Sequence, residues 1–467
     1  MLKWRAALSR PGEGGVSESM LSLSEAARAM RGELSGADGQ FFRVCTDSRQ
    51  LRAGDLFVAL KGEKFDGAAF ARAALAAGAA GVVVQRAAAA DLEPAVRVDD
   101  TRLALGRLAA HWRDRFTLPI VAITGSNGKT TVKEMLAAIL RAQAGDAVLA
   151  TEGNLNNDIG LPMMLLRLRV EHRYAVLEMG MNHFGELSHL TRLARPDVAL
   201  VNNAQSAHVG MFASVAEIAR AKGEIFEGLP AAGVAVINVD DPHAALWQDM
   251  NRTLRQISFG LHAGTLRGRW QAQGYGATLV VDGLDAPLRI TLQVPGEHNA
   301  RNALAAAACA HALGIPAAAT KAGLESFSGV KGRLQRKAAL YGATFLDDTY
   351  NANPDSVKAA LDVLRNLPGR HVLVLGDMGE LGAQSAALHA GIGLAARAAG
   401  VERLLALGDQ SAEAVKAFGA GAMHFERVEE LLAEIENLLA PGVTVLVKGS
   451  RFMQMERVVK GFAETGQ

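Results

Sequence analysis

Along the chain, short all-apolar runs alternate with stretches whose apolar positions recur every three or four residues. The first pattern predicts buried strands and the second amphipathic helices. Ile120-Val121-Ala122-Ile123 is a run of the first kind, and Val132, Met135, Leu136, Ile139 and Leu140 form a helical stripe after it. Further strands are predicted at Tyr174–Met179, Asp197–Asn202 and Val234–Asn238. Such alternation predicts a mostly parallel sheet covered by helices. Thr278–Val281 and Leu288–Val294 break the pattern and read as antiparallel strands near the end of this region.

Before it, Leu56–Leu60 and Gly81–Val84 flank an Ala-rich helix from about Ala68, which makes a small α/β unit. Ser24 resembles an N-cap for a helix Glu25–Met30. A helix Thr101–Arg115 leads to the strand that opens at Pro119. The last third repeats one pattern three times. His371–Leu375 precedes Gly376-Asp377, Leu404–Leu407 precedes Gly408-Asp409, and Thr444–Val447 precedes Lys448-Gly449. Strands ending in this way predict an open α/β sheet with ligands at its carboxyl ends. The expected fold class is therefore α/β in three domains. A leader at 1–19 precedes a small N-terminal α/β domain at 20–102. A central, mostly parallel phosphate-loop domain follows at 103–330, and a Rossmann-like C-terminal domain at 331–467.

Length agrees, since 467 residues at roughly 150 per domain give about three. A formal net charge of +1 argues against a dedicated nucleic-acid binder but leaves room for a local basic pocket. Cys45 and Cys309 have neither metal spacing nor a disulfide pattern, which points to reduced thiols in a cytosol. The longest apolar stretch, Ala73–Val84, falls short of the ~18 residues of a spanning helix. A cytoplasmic protein without membrane insertion is expected.

The strongest chemical signal is Thr124-Gly125-Ser126-Asn127-Gly128-Lys129-Thr130-Thr131, between a strand and a helix. Glycines let backbone N–H groups turn toward phosphate oxygens, and the helix N-terminus adds partial positive charge. Lys129 would reach the β and γ phosphates and Thr130 would ligate Mg²⁺. The loop is a shortened form, with Ile123 where the usual pattern has its first Gly.

Other candidates are ambiguous alone. Glu178, at a strand end, suits a hard cation or a solvated surface. His208 would be a second ligand or a structural histidine. Lys222 by itself looks like an exposed helical lysine. Asn299 and Asn302 read as helix caps or adenine contacts. The polar stretch Asp347–Ser356 reads as a turn capped by Asp355 or Ser356, or as a ligand loop.

Taken together, these motifs resemble the Mur ligase family. The resemblance rests on Asp47-Ser48-Arg49, Asp55–Gly62, Thr124–Thr131, Gly153–Pro162, Leu177–Met181 and Ala221–Ile225. It continues through His298–Asn302, Asp348–Ser356, Asp377–Gly382 and Lys448–Arg451. The shortened loop is the family's own form. The resemblance implies an ATP-dependent amide ligase that activates a carboxylate as an acyl phosphate. It implies ATP and two Mg²⁺ ions as cofactors. Ser48 and Arg49 would contact UDP. Asn154, Asn157, Tyr350, Asn351 and Asn353 would lie on the substrate side. Thr124 to Thr131, Asn299, Asn302, Arg333 and Asp348 would hold ATP, with Arg333 at the γ phosphate and Asp348 at the ribose. Glu178, His208, Thr130 and a carbamylated Lys222 would bind Mg²⁺. Asp377, Glu380, Lys448, Ser450 and Arg451 would face the incoming amine.

An Asp-Asn-Pro-Arg motif marks the diaminopimelate-adding relatives, and this chain has none. The stretch Asn351–Ser356 fits the dipeptide-adding branch. The expected partners are therefore UDP-N-acetylmuramoyl-tripeptide and D-alanyl-D-alanine, handled by a monomer without nucleic acid. The alternatives are another Mur step or a folylpolyglutamate-type ligase. A phosphate-loop switch or motor is disfavoured, since no Asn-Lys-x-Asp motif is present and the last third would have no role.

Overall fold

The structure is a computed structural model that describes residues 19–62, 66–206 and 211–463. Residues 1–18 of the expected leader and the candidate ligand His208 lie outside the described residues.

The N-terminal part carries a five-stranded sheet, in the order Glu33–Ser35, Ala95–Val98, Gly81–Gln85, Asp55–Val58, Arg43–Cys45. Only the first pair is antiparallel. Its first helix is Leu23–Met30, and Ser22 rather than Ser24 caps it, accepting the Glu25 amide. Ser24 lies two residues past the cap position, inside the helix, and instead donates its own amide to Asp38. Helix Thr101–Arg113, capped by Asp100, leads out of this unit.

The middle part holds a nine-stranded sheet. Its parallel region runs Arg255–Gly260, Val234–Asn238, Val198–Val201, Ile120–Thr124, Tyr174–Glu178, Val148–Ala150. Both faces are covered, which is why these strands are near-continuous Val, Ile, Leu and Ala. Ile120, Val121, Ala122 and Ile123 are all fully buried. The sheet continues through Leu266–Gln273, Gly276–Asp282 and Leu288–Leu292, paired antiparallel to one another. Within the parallel region Ile120–Thr124 is flanked by Tyr174–Glu178 on one side and Val198–Val201 on the other. The loop after such a strand opens into a crevice at the sheet's carboxyl end.

The last part is a six-stranded sheet, Gln335–Ala338, Thr344–Asp348, Val443–Lys448, Arg370–Gly376, Arg403–Leu407, Ala422–Phe425. All pairs but the first are parallel. Two apolar layers sandwich it, one under helix Pro354–Arg365 and the other under Val428–Leu438 and Glu456–Phe462. The carboxyl ends at Asp348 and Lys448 face the phosphate-loop side of the middle sheet across a shared cavity. No helix among the described residues is long and apolar enough to cross a membrane.

Candidate active site

The cavity between the two sheets has a volume of about 670 Å³. One wall is the loop segment Ser126–Lys129. Gly128 has φ +80, a conformation open to glycine. A Cβ there would also meet Asn302 Oδ1 at 2.4 Å and Asn202 Nδ2 at 2.7 Å. The position is therefore restricted twice, by backbone shape and by an amide roof. Helix Lys129–Ala144 starts at once, so its first N–H groups point into the cavity.

Lys129 Nζ donates to the Gly125 carbonyl at 2.7 Å. Burial pulls its amine below the ordinary lysine range, opposed by Glu178 and reinforced by Arg333. Thr130 donates its hydroxyl to Glu178 Oε2 at 2.8 Å, and Asn156 Nδ2 donates to Glu178 Oε1 at 2.8 Å. Arg333 Nη2 donates to Thr130 Oγ1 at 3.0 Å, and its guanidinium lies over the Tyr350 ring, 4.5 Å from the centroid.

A chain of side-chain amides braces the loop from behind. Asn203 Oδ1 accepts the Asn127 amide at 2.9 Å. Asn202 Nδ2 donates to the Asn127 carbonyl and to Asn302 Oδ1, each at 3.0 Å. Asn299 does not cap its helix. It sits inside Glu297–Ala312 and donates to the Pro295 carbonyl at 2.8 Å, while Asn302 donates weakly to Asn299. The loop also meets the last sheet directly, because Asn353 Nδ2 donates to Asn127 Oδ1 at 2.8 Å. Asn353 caps helix Pro354–Arg365 in a reciprocal capping box with Ser356.

On the opposite wall Lys448 and Asp348 form an ion pair at 2.6 Å, both largely buried. Lys448 also donates to the Asn351 carbonyl at 2.9 Å. Asp348 spends its second oxygen on the Leu334 amide at 3.2 Å. Ser450 donates to the Ala352 carbonyl and accepts the Gly379 amide at 2.7 Å. Glu380 and Arg451 complete this side. His298 stands at the cavity wall, and burial pushes its imidazole down to about 4, with Asp348 opposing and Lys448 and Arg301 assisting.

The cavity thus gathers Ser126, Asn127, Gly128, Lys129, Thr131, Glu178, Asn299, Asn302 and Arg333 on the loop side. It gathers Asp348, Tyr350, Asn351, Asn353, Glu380, Lys448, Ser450 and Arg451 on the other. Thr124, which ends the strand, Gly125 and Thr130 are not among the lining residues. Ser48 and Arg49 lie away from the cavity on a short 3-10 helix, where the exposed Arg49 pairs with Asp47 at 2.9 Å. Asn154 is exposed, and Asn157 Oδ1 accepts the Ile159 and Gly160 amides. Asp377 turns its carboxylate away, onto the Gln410 and Ser411 amides.

Lys222 differs from its appearance in sequence. It lies in helix Val215–Gly223 and is 2% exposed, with no carboxylate or hydrogen-bond partner among the described residues. Burial, with the Lys129 cation, pushes its amine well below the ordinary range. Sequence reasoning missed Asn156, Asn202, Asn203 and Gln205. Each follows a strand or lies in an Asn-rich loop, where the pattern does not tell which amide faces inward.

The donors fit a hard divalent cation. A hydroxyl and a carboxylate converge at Thr130 and Glu178, oxygen donors of the kind such a cation takes.

Family comparisons agree with this geometry. Residues 42–113 match the Mur ligase family catalytic domain, 123–310 the Mur ligase middle domain, and 332–451 the Mur ligase glutamate ligase domain. A UDP-N-acetylmuramoyl-tripeptide–D-alanyl-D-alanine ligase of Escherichia coli is 45% identical over 96% of this chain and 99% of its own length. The crystal structure of MurF from Acinetobacter baumannii superposes with a TM-score of 0.89 at 37% identity, covering 94% of this chain and 97% of that one. MurF from Thermotoga maritima, solved in complex with ADP, gives 0.82 at 28% identity over 90% and 96%. The chain belongs to the Mur ligase family.

Proposed function

We propose that this protein is an ATP-dependent ligase of peptidoglycan precursor synthesis. It joins D-alanyl-D-alanine to UDP-N-acetylmuramoyl-tripeptide, giving the pentapeptide, ADP and phosphate. One observation carries the reading. A single cavity has a phosphate loop on one wall and the Lys448, Arg451 and Glu380 group on the other. The near full-length likeness to the Escherichia coli ligase supports the choice of substrates.

A peptide carboxylate is a poor electrophile. Its oxygen attacks the γ phosphorus of ATP, the bond to ADP breaks, and an acyl phosphate results. The dipeptide's amine then attacks the acyl carbon, loses a proton, and phosphate leaves. Both partners in the first step are anions, so the chain's work there is charge neutralisation and alignment. Lys129 and the helix N-terminus would hold the β and γ phosphates. Arg333 would meet the γ phosphate from the other side. Asn299 and Asn302 would border the adenine, and Asp348 the ribose. Thr130 and Glu178, with His208 and a carbamylated Lys222, would hold two Mg²⁺ ions. Such ions supply added positive charge at the transferring phosphoryl group. A buried lysine without a carboxylate partner among the described residues is suited to carbamylation, which turns the amine into an anion. Lys448, Ser450, Arg451 and Glu380 would orient the amine, with Asp377 bracing their loop. Tyr350, Asn351 and Asn353 would border the peptide. Ser48, Arg49, Asn154 and Asn157 would meet the remote UDP-sugar end.

The division of labour we propose is 20–102 for the UDP-sugar, 103–330 for ATP and 331–467 for the amine. We infer a monomer acting in the cytoplasm, a reading supported by the likeness to ligases of peptidoglycan precursor synthesis. The test supplies purified protein with ATP, Mg²⁺ and UDP-N-acetylmuramoyl-tripeptide. Phosphate release that needs D-alanyl-D-alanine, with a pentapeptide product by mass, is expected. Turnover with glutamate in place of the dipeptide, or release without any sugar nucleotide, overturns the reading.

A further inference from the structure

Two side chains grip the peptide groups on either side of Leu334. Asp348 Oδ1 accepts its amide at 3.2 Å, and the Tyr275 hydroxyl donates to its carbonyl at 2.5 Å. Leu334 has φ +48, a left-handed conformation that is strained for a residue with a side chain. The residue just before it is Arg333.

Tyr275 comes from another part of the fold. With Gly274 it forms the turn between Leu266–Gln273 and Gly276–Asp282, in the antiparallel extension of the middle sheet. Its ring also faces the Arg336 guanidinium, 5.7 Å from the centroid. The hairpin therefore holds the start of the last sheet at two points. Arg333 has one further feature. Its Nε is buried and has no hydrogen-bond partner, while Nη2 reaches Thr130. An unsatisfied N–H on a buried guanidinium is costly unless a ligand completes it.

We propose that Tyr275 is a positioning residue for Arg333. By fixing the Leu334 carbonyl, the hairpin keeps the left-handed turn that holds the Arg333 guanidinium beside Thr130 at the cavity wall, where the terminal phosphate of the nucleotide would lie. The antiparallel extension thereby gains a role in catalysis although it contributes no group to the chemistry. This rests on Arg333 contacting the γ phosphate.

The test is a double-mutant cycle on Tyr275→Phe and Arg333→Lys. Its readouts are the preference for the non-hydrolysable ATP analogue AMPPNP over ADP, by calorimetry with Mg²⁺, and kcat. One lost hydrogen bond at the turn is expected to lower both about tenfold in Tyr275→Phe. In the Arg333→Lys background the same change should alter them less than twofold, because the group it positions is already gone. Equal losses in both backgrounds would mark a purely structural tyrosine and overturn the inference, as would no loss in the wild-type background. If Arg333→Lys itself leaves the AMPPNP preference intact, the γ-phosphate contact is wrong and the inference falls with it. That case is distinguished by the single lysine variant alone.

Discussion

Thr130 and Glu178 meet at the edge of the cavity, hydroxyl to carboxylate at 2.8 Å, although they are 48 positions apart in sequence. Parallel pairing of Ile120–Thr124 with Tyr174–Glu178 sets Glu178 opposite Ile123 and so brings it beside the loop. If this pair holds the cation, Glu178→Gln keeps the shape and loses a charge. Activity should fall about 100-fold or more, with partial recovery at high Mg²⁺. A magnesium titration of phosphate release checks this, and an unchanged magnesium requirement would remove Glu178 from the metal site.

Lys222 supplies a second prediction. Lys222→Ala should abolish ligation while leaving the fold intact, and short carboxylic acids should restore part of the rate. Protein incubated with ¹³C-bicarbonate should give a carbamate resonance that Lys222→Ala lacks. Absence of that resonance in active wild-type enzyme would exclude the modification.

His298 should stay neutral through the physiological range. Its folded value near 4 lies below the ordinary 6.5, so between those limits the unfolded chain binds more protons. Its contribution to stability is then complete above about pH 6.5 and is lost as pH falls toward 4. Titration of its imidazole Cε1–H signal by NMR should show no midpoint near neutrality, and a midpoint near 6.5 would refute the shift.

The Asp348–Lys448 pair allows a stability test. Lys448→Met leaves a largely buried carboxylate with only the Leu334 amide, a loss of about 3–5 kcal/mol. The double variant Asp348→Asn with Lys448→Met should regain part of it. Urea denaturation midpoints measure both, and a single variant as stable as wild type would mean the pair is solvated.

Asn353 joins two tasks, capping Pro354–Arg365 and bonding to Asn127. Asn353→Ala should cost about 1 kcal/mol for the cap alone. A weakened nucleotide affinity should accompany it, since the loop loses its contact with the last sheet. Unchanged affinity in calorimetry would confine Asn353 to capping.

The central strands were legible because strands buried on both faces must be apolar throughout. Val234–Asn238 falls where the pattern places it. Leu266–Gln273 and Gln335–Ala338 were not foreseen, because their outward positions carry Arg, Gln and Lys and no simple run survives. The phosphate loop was readable from local spacing alone. Lys222 was not, since its neighbours Arg220 and Glu224 give it the look of a solvated turn. Its burial comes with tertiary packing that brings it near Lys129, which is distant in sequence. The amide bracing of Asn127 by Asn202, Asn203 and Asn353 is likewise a product of topology, invisible until the strand order is known.

The crowding at Gly128 has a consequence for drug resistance. Any side chain there collides with Asn202 and Asn302 and strains the backbone as well. An inhibitor that draws its affinity from the loop's backbone N–H groups at this point would therefore bind a surface with little mutational freedom. Escape would have to come from the opposite wall, where exposed side chains such as Phe452 can vary.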